Sequence, residues 1–355
     1  MCYPDIMKSV LVAMSGGVDS SVAAALLSEQ GYACHGVMLI MHGNEAIEDA
    51  AAVCGQLNIP FYTIDAKEQF RTCVVSDFID SYKEGETPNP CVRCNNEVKL
   101  SMLLTEADKR GLDYIATGHY ARVTYASCDN RRNLLYKGKD TQKDQSYMLY
   151  RLSQKQLGRL LLPLGDYDKN EVRRIADRLG LTSAGREDSQ DLCFVPDGDY
   201  VSFIEREIGK QEPGAIVNKK GEILGTHNGL INYTVGQRKG LGIAMGEPYY
   251  VIRKDKELNE VVLGKESDLY TDSVRVRDIN LIAAEEIAPG LEVEIQTRYR
   301  ATAVKARLRQ LSDAIIVAAF DKREKAPAPG QSAVFYQGDL LVGGGIVEDS
   351  MDKDI

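Results

Sequence analysis

Residues 9–21, Ser9-Val10-Leu11-Val12-Ala13-Met14-Ser15-Gly16-Gly17-Val18-Asp19-Ser20-Ser21, decide the fold. Ser9 to Met14 is a short apolar run, the pattern of a first buried strand. SSVAAALLSEQ (20–30) reads as a helix, and Gly31 suits its end. The turn between them carries two glycines and several hydroxyls. Glycines let a backbone approach an anion closely. Amides at the helix start then donate to it, and the helix dipole favours negative charge. Asp19 would stand badly beside phosphate unless it serves a cation or a hydrogen-bond network, so Mg2+ handling is the expectation for it.

Outward from this turn the chain alternates strand-like and helix-like segments. HGVMLI (35–40), FYTIDA (61–66) and LDYIATG (112–118) read as strands. AIEDAAAVCGQL (46–57), a stretch near 67–82 and EVKLSMLLTEADKR (97–110) read as helices. That rhythm predicts a parallel sheet with helices on both faces. Asp168 and Glu171 make a capping box for a helix to Leu179, and another helix is expected near 198–207. After about 208, short β-like runs appear: AIV, EILG, INYTV, YYVIR and VVLG. From about 273 the strand signals SVRVRDINLI, LEVEIQTRY, TAVKARLR, AIIVAAF, SAVFYQ and LLVGGGIV follow, as in a small antiparallel barrel or sandwich. The expected division is 1–207, 208–272 and 273–355.

The chain has 355 residues, 44% of them hydrophobic, enough to bury real cores. No apolar run is long enough to span a membrane and no signal-peptide pattern opens the chain, so a cytoplasmic address is expected. The net charge of −9 argues weakly against nucleic acid, but binding is local. RYRATAVKARLR (298–309) holds five basic residues and no acid, and 131–143 is also basic. Either could face phosphate, or be a solvated strand face or loop.

Eight cysteines in such a chain do not suggest a disulfide scaffold. Cys2, Cys34, Cys54, Cys73 and Cys128 read as buried small hydrophobes or bland surface. Cys91 and Cys94 form a C-x-x-C pair after the stiff loop EGETPNP, and no second such pair exists for a zinc site. Cys193 stands among polar residues in EDSQDLCF (187–194).

The Walker pattern and the G-x-G-x-x-G fingerprint are both missing here. SGGVDSS resembles instead the loop of the ATP pyrophosphatases, which activate an oxygen by adenylation and release pyrophosphate. GETPNPCVRCN, GHYAR (118–122), KDQSYML (143–149), DSQDLCF (188–194), GQRKGLG (236–242), TRYR (297–300) and PGQSAVFY (329–336) extend the likeness. Together, in order and over nearly the whole chain, they resemble the bacterial tRNA-specific 2-thiouridylases (MnmA, also called TrmU).

That resemblance implies an N-terminal parallel-sheet PP-loop domain, a small central domain and a C-terminal antiparallel β-barrel. It implies ATP-dependent adenylation of the wobble uridine 2-oxygen, then its replacement by sulfur. ATP contacts are expected at Ala13, Met14, Ser15, Gly16, Gly17, Val18, Asp19, Ser20, Leu39 and Gly118. Cys94 matches the nucleophile and Cys193 the persulfide carrier. Asn89, Pro90 and Cys91 would line the target base. His119, Lys143, Asp144, Gln145, Arg298, Tyr299 and Gln331 match tRNA-contacting positions. The implied partners are tRNAs for lysine, glutamate and glutamine, with a sulfur donor such as a cysteine desulfurase or relay protein.

Two departures stand out. Many family members have aspartate where this chain has Cys91. Three cysteines, Cys91, Cys94 and Cys193, could hold a [4Fe–4S] cluster as an alternative sulfur route. The segment after the second strand, Met41-His42-Gly43-Asn44, is shorter than usual. Competing readings are another adenylating enzyme without sulfur transfer, and a tRNA-binding paralog that no longer catalyses.

Overall fold

The computed structural model describes residues 7–43, 46–127, 131–181, 192–195, 198–243 and 246–351. Cys2, Asn44, Cys128 and residues 187–191 lie outside the described residues. The chain divides into two compact units. The first takes residues 1–74, 91–190 and 339–341; the second takes 75–90, 191–338 and 342–355.

The first unit is built on strands β1 (Ser9–Ala13), β2 (Ala33–Ile40), β3 (Phe61–Asp65), β4 (Tyr114–Ala116) and β7 (Leu160–Leu161). They lie in the order β3-β2-β1-β4-β7, and all the pairings are parallel. Ala13 stands opposite Val37 and Val12 opposite Ala116, so β1 is central. Val10 and Val12 are fully buried, and Val22, Ala23, Ala24 and Leu27 of the helix Val18–Glu29 pack in the same core. The chain runs outward from β1 to β3, then returns to place β4 on the other side of β1. Open α/β sheets bind ligands at such a reversal, beyond the carboxyl ends of the strands.

A hairpin of β5 (Ala121–Thr124) and β6 (Leu134–Lys137) follows β4, and Leu340 and Leu341 pair with Tyr136 and Leu135. The sequence gives this hairpin only short, mixed runs, and it was not among the expected strands. The expected helix 67–82 is interrupted by a π-helical turn at Arg71–Val75. The expected helix 97–110 begins earlier, at Pro90, and is π-helical from Cys94 to Leu100. It ends as expected at Gly111, whose φ of 66° is left-handed. Asp168 and Glu171 do form the capping box of Lys169–Arg178.

The second unit holds two β assemblies. Strands β8 (Gly214–Asn218), β9 (Ile223–His227), β10 (Tyr250–Asp255) and β11 (Glu260–Gly264) make a sheet in the order β10-β11-β8-β9. The β11–β8 pairing is parallel, and the β10–β11 and β8–β9 pairings are antiparallel. INYTV does not form a strand; Leu230–Asn232 is a 3-10 turn. The remaining strands are β12 (Tyr270–Leu281), β13 (Leu291–Gln296), β14 (Val304–Ser312), β15 (Ile315–Lys325), β16 (Ser332–Gln337) and β17 (Leu340–Met351). Pairing of β12 with both β15 and β17 closes them into a six-stranded antiparallel barrel. Val274, Ile295, Leu308, Ile316 and Phe335 fill it. Among the described residues no helix is long and apolar enough to cross a membrane.

Candidate active site

The glycine turn follows β1 directly. The Met14 amide donates to the Val37 carbonyl at 2.7 Å, extending the sheet by one residue. Gly16 has φ of 74°, and a Cβ there would press on Ala46 and Asp49 at 3.2–3.3 Å. Gly17 is the N-cap of Val18–Glu29, and no side chain caps the helix. Ser20 closes the turn: its hydroxyl donates to the Gly17 carbonyl at 3.1 Å and accepts from the Ser15 amide at 3.1 Å. Ser21 donates to the same carbonyl at 2.8 Å. The turn is thus preformed, with Ser15 exposed at its tip.

Ala13 and Met14 leave β1, Leu39 lies near the carboxyl end of β2, and Gly118 follows β4 by two residues. These expected nucleotide contacts therefore stand at the same edge of three adjacent strands. A Cβ on Gly118 would come within 2.8 Å of the Asp19 carbonyl carbon and 2.9 Å of the Ser20 nitrogen. Glycine is required there because the loop after β4 touches the backbone of the glycine turn.

Asp19 is held by residues that sequence reading did not single out. Lys169 Nζ lies 2.9 Å from both carboxylate oxygens, and Tyr120 donates its hydroxyl to Oδ1 at 2.7 Å. Lys169 is buried. The hydrogen-bond alternative raised for Asp19 is therefore present. Both oxygens face the Lys169 ammonium, and among the described residues no further His, Cys, Asp or Glu side chains gather with Asp19 as a metal-holding group.

Cys91 and Cys94 lie on one continuous helical stretch, Pro90–Arg110. Cys91 touches solvent, yet protein crowds it on its other sides. That desolvation raises its thiol above the ordinary value, and the nearby Lys99 ammonium opposes the rise. Cys94 is buried, 4.0 Å from the Met41 sulfur of the shortened segment. The π-helical turn begins at Cys94 itself; such turns recur at functional sites. Asn95 donates to the Met148 carbonyl at 3.4 Å and ties this turn to the KDQSYML segment.

His119 Nδ1 pairs with the Thr117 hydroxyl at 2.8 Å. Burial, helped by the positive charge of Lys99, holds its pKa at about 3, so it is neutral at ordinary pH. Lys99 acts on both Cys91 and His119, and it too escaped sequence reading. Nothing in the sequence marks it, since five residues from Cys94 is not a spacing that puts two side chains on one face of an α-helix.

The Asp144 carboxylate accepts from the Gly138 amide at 2.8 Å and from the Ser146 hydroxyl at 2.8 Å. Burial raises its pKa despite these bonds. Gln145 exchanges two bonds with the Tyr120 backbone, at 3.0 and 2.9 Å. Lys143 is half-buried in the same segment. This segment so far serves the hairpin; any RNA contact would be additional.

In the second unit Cys193 is exposed in a turn closed by the Val195 amide on the Leu192 carbonyl, 3.0 Å. Phe194 anchors the turn edge-on against Phe78 and Phe203. Asn89 and Pro90 end the loop that leads to Cys91. Arg298 and Arg300 are exposed in the turn after β13, with Arg300 over the Tyr299 ring at 5.3 Å. Further along that basic stretch, Lys305 stands opposite Glu294 across the strands, and Arg307 meets Glu292 at 3.1 Å. Gln331 donates to the Thr87 carbonyl at 2.6 Å. Among the described residues no three His, Cys, Asp or Glu side chains gather as a metal-holding group.

Three family models match in succession. A "tRNA methyl transferase HUP domain" covers residues 8–197, a "tRNA methyl transferase PRC-barrel domain" 201–265 and an "Aminomethyltransferase beta-barrel domain" 271–347. Among the relatives, the tRNA-specific 2-thiouridylase MnmA of Lachnoclostridium phytofermentans is 46% identical, over 96% of this chain and 99% of its own. That of Acetivibrio thermocellus is 45% identical over the same shares.

Proposed function

The chain belongs to the tRNA-specific 2-thiouridylase family, and on that premise we propose how its residues divide the reaction. It is an ATP-using sulfurtransferase that forms 2-thiouridine in tRNA. The observation that carries the assignment of roles is the preformed, uncapped glycine turn at the reversal of a parallel sheet, with a two-cysteine helix in the same unit.

A uridine 2-carbonyl oxygen is a poor leaving group. Its attack on the α-phosphate of ATP expels pyrophosphate and makes AMP the later leaving group. The amides after Gly17 and the Ser15 hydroxyl bind the phosphates. Asp19 acts through Lys169: the pair fixes the turn. Mg2+ bound with the nucleotide would supply charge neutralisation to its phosphates. The base reaches Asn89, Pro90 and Cys91 by flipping from the anticodon stack. Neutral His119 offers a hydrogen bond and cannot serve as a cation.

Sulfur arrives as a persulfide on exposed Cys193. The Cys94 thiolate attacks the inner sulfur, forming a Cys94–Cys193 disulfide and releasing hydrosulfide. Hydrosulfide adds to the activated carbon, AMP departs, and an external thiol reduces the disulfide. The wobble uridine of lysine, glutamate and glutamine tRNAs is the expected target. A cysteine desulfurase or relay protein is the expected donor. RNA contacts are assigned to His119, Lys143, Asp144, Gln145, Arg298, Tyr299 and Gln331.

The test is purified enzyme with unmodified tRNA, ATP and a persulfide donor, followed by nucleoside mass spectrometry and pyrophosphate assay. Wild type should give 2-thiouridine, AMP and pyrophosphate. Cys193→Ser should release pyrophosphate yet leave uridine unsulfurated. Full thiolation by that variant would sink the persulfide route, and with it a cluster held by Cys91, Cys94 and Cys193.

A further inference from the structure

The loop that leads to Asn89 and Pro90 is gripped at three of the residues before it, Glu84, Glu86 and Thr87. Glu84 pairs with Lys256 at 2.5 Å. Glu86 pairs with Arg277 of β12 at 2.6 Å. The Thr87 amide donates to the Pro329 carbonyl at 2.7 Å, and its own carbonyl accepts from Gln331 at 2.6 Å. The Thr87 hydroxyl reaches Thr234 at 3.5 Å. Gly330, at φ of 88°, has no room for a side chain: a Cβ would stand 2.8 Å from Glu86 Cβ and 2.9 Å from Thr87 N. Gln331 is itself fixed, because the Val347 amide donates to its carbonyl at 2.8 Å.

The outer pair, Glu84–Lys256, is exposed and contributes little. The inner contacts differ. Glu86 is largely buried in its pair with Arg277, and Thr87 has both backbone groups bonded to the barrel segment 329–331. From Thr87 to Cys91 the chain is Thr-Pro-Asn-Pro-Cys, whose two prolines transmit position stiffly.

We propose that Arg277 and Gln331 are positioning residues for the target-base loop: the barrel grips Glu86 and Thr87 and so sets where Asn89 and Pro90 stand. The barrel is then part of the catalytic frame as well as a surface for RNA. Arg277 acts through Glu86, which it holds at 2.6 Å. This rests on the thiolation function given above and adds to it a role for β12 and for the turn before β16.

The experiment uses the full chain, with thiolation measured under saturating tRNA and ATP. Arg277→Met and Glu86→Gln should each lower kcat about tenfold or more, because an ångström of misplacement costs on the order of a hundredfold. The KM for tRNA should stay within about twofold, the signature of a group acting in the reaction rather than in binding. The exchanged pair, Glu86→Arg with Arg277→Glu, should recover most of kcat. Faster amide exchange at Thr87 should accompany the single variants. Unchanged kcat in both singles, or a loss confined to the tRNA KM, overturns the inference. Should Arg277→Met fail to fold, Gln331→Glu, which sets a carboxylate against the Thr87 carbonyl, must lower kcat and loosen the Thr87 amide, or the inference falls. A wild-type protein that makes no 2-thiouridine defeats the assigned function instead.

Discussion

At the scale of single residues, the pairing of Asp19 with Lys169 organises the nucleotide end of the site. Lys169 is a buried charge, and Asp19 is its acidic partner at 2.9 Å. Removing one member of a buried pair strands the other; for a fully buried pair the cost is about 3–5 kcal/mol. The Asp19 side chain is 30% exposed, so roughly 1–3 kcal/mol is expected for Lys169→Met, with the discount for solvent. Tyr120→Phe removes only one hydrogen bond and should cost about 1 kcal/mol. Urea unfolding ranks the two, and pyrophosphate release should fall in the same order. A Lys169→Met protein with wild-type stability and pyrophosphate release would remove Lys169 from the site.

His119 gives a second residue-scale expectation. Its pKa of about 3 lies below the ordinary histidine value of roughly 6.5. Above that ordinary value neither state holds the proton and His119 makes no contribution. As pH falls below it, the unfolded chain takes a proton that the folded chain refuses, so stability is lost on acidification. Ring-carbon NMR should show neutral imidazole at pH values down to about 5. His119→Gln should flatten the acid limb of the stability profile. A titration midpoint near the ordinary value would contradict the burial of the ring.

At the scale of elements, the strand–turn–helix unit was legible in the sequence. Its signals are local: an apolar run, two glycines, a helical repeat closed by Gly31. The capping box at Asp168 was legible for the same reason. Lys169 stood next to that box unnoticed, because its partner is Asp19, far away in sequence. The π-helical turn at Cys94 was illegible too, since its residues carry ordinary helical propensity and only tertiary packing widens the turn. INYTV has a β composition, yet Gly229 at φ of 114° breaks the run and the Tyr233 amide bonds back to Leu230.

Gly118 tests whether one element's edge sets another's geometry. Alanine there meets backbone, not a flexible side-chain tip. Either the loop after β4 or the glycine turn must shift. Overpacking of this kind costs about 1–3 kcal/mol. Gly118→Ala should therefore lose tRNA-dependent pyrophosphate release by at least about tenfold, since catalysis tolerates misplacement less than stability does. The thiolation step, supplied with a pre-adenylated substrate analogue, should be spared. Equal loss in both steps would mean that the shift spreads beyond the glycine turn.

At the scale of the whole molecule, a chain with net charge −9 must bind a polyanion. The sum misleads because charge is partly spent within the fold. Arg307 is neutralised by Glu292 and Lys305 faces Glu294, whereas Arg298 and Arg300 stand exposed in a turn. Lys139 of the other basic stretch is likewise paired, with Glu171 at 3.2 Å. Only cations that meet phosphate release counterions when RNA binds, and each contributes a slope of about −0.7 to −0.9 in log K against log salt. Arg298→Ala and Arg300→Ala should therefore each weaken tRNA binding and reduce the salt slope by about one. Arg307→Ala should leave the slope nearly unchanged, because it releases Glu292 as it removes a cation. Filter binding at several salt concentrations measures all three. If Arg307→Ala lowers the slope as much as Arg298→Ala, then β14 faces the RNA as well, and its pairing with β13 is given up on binding.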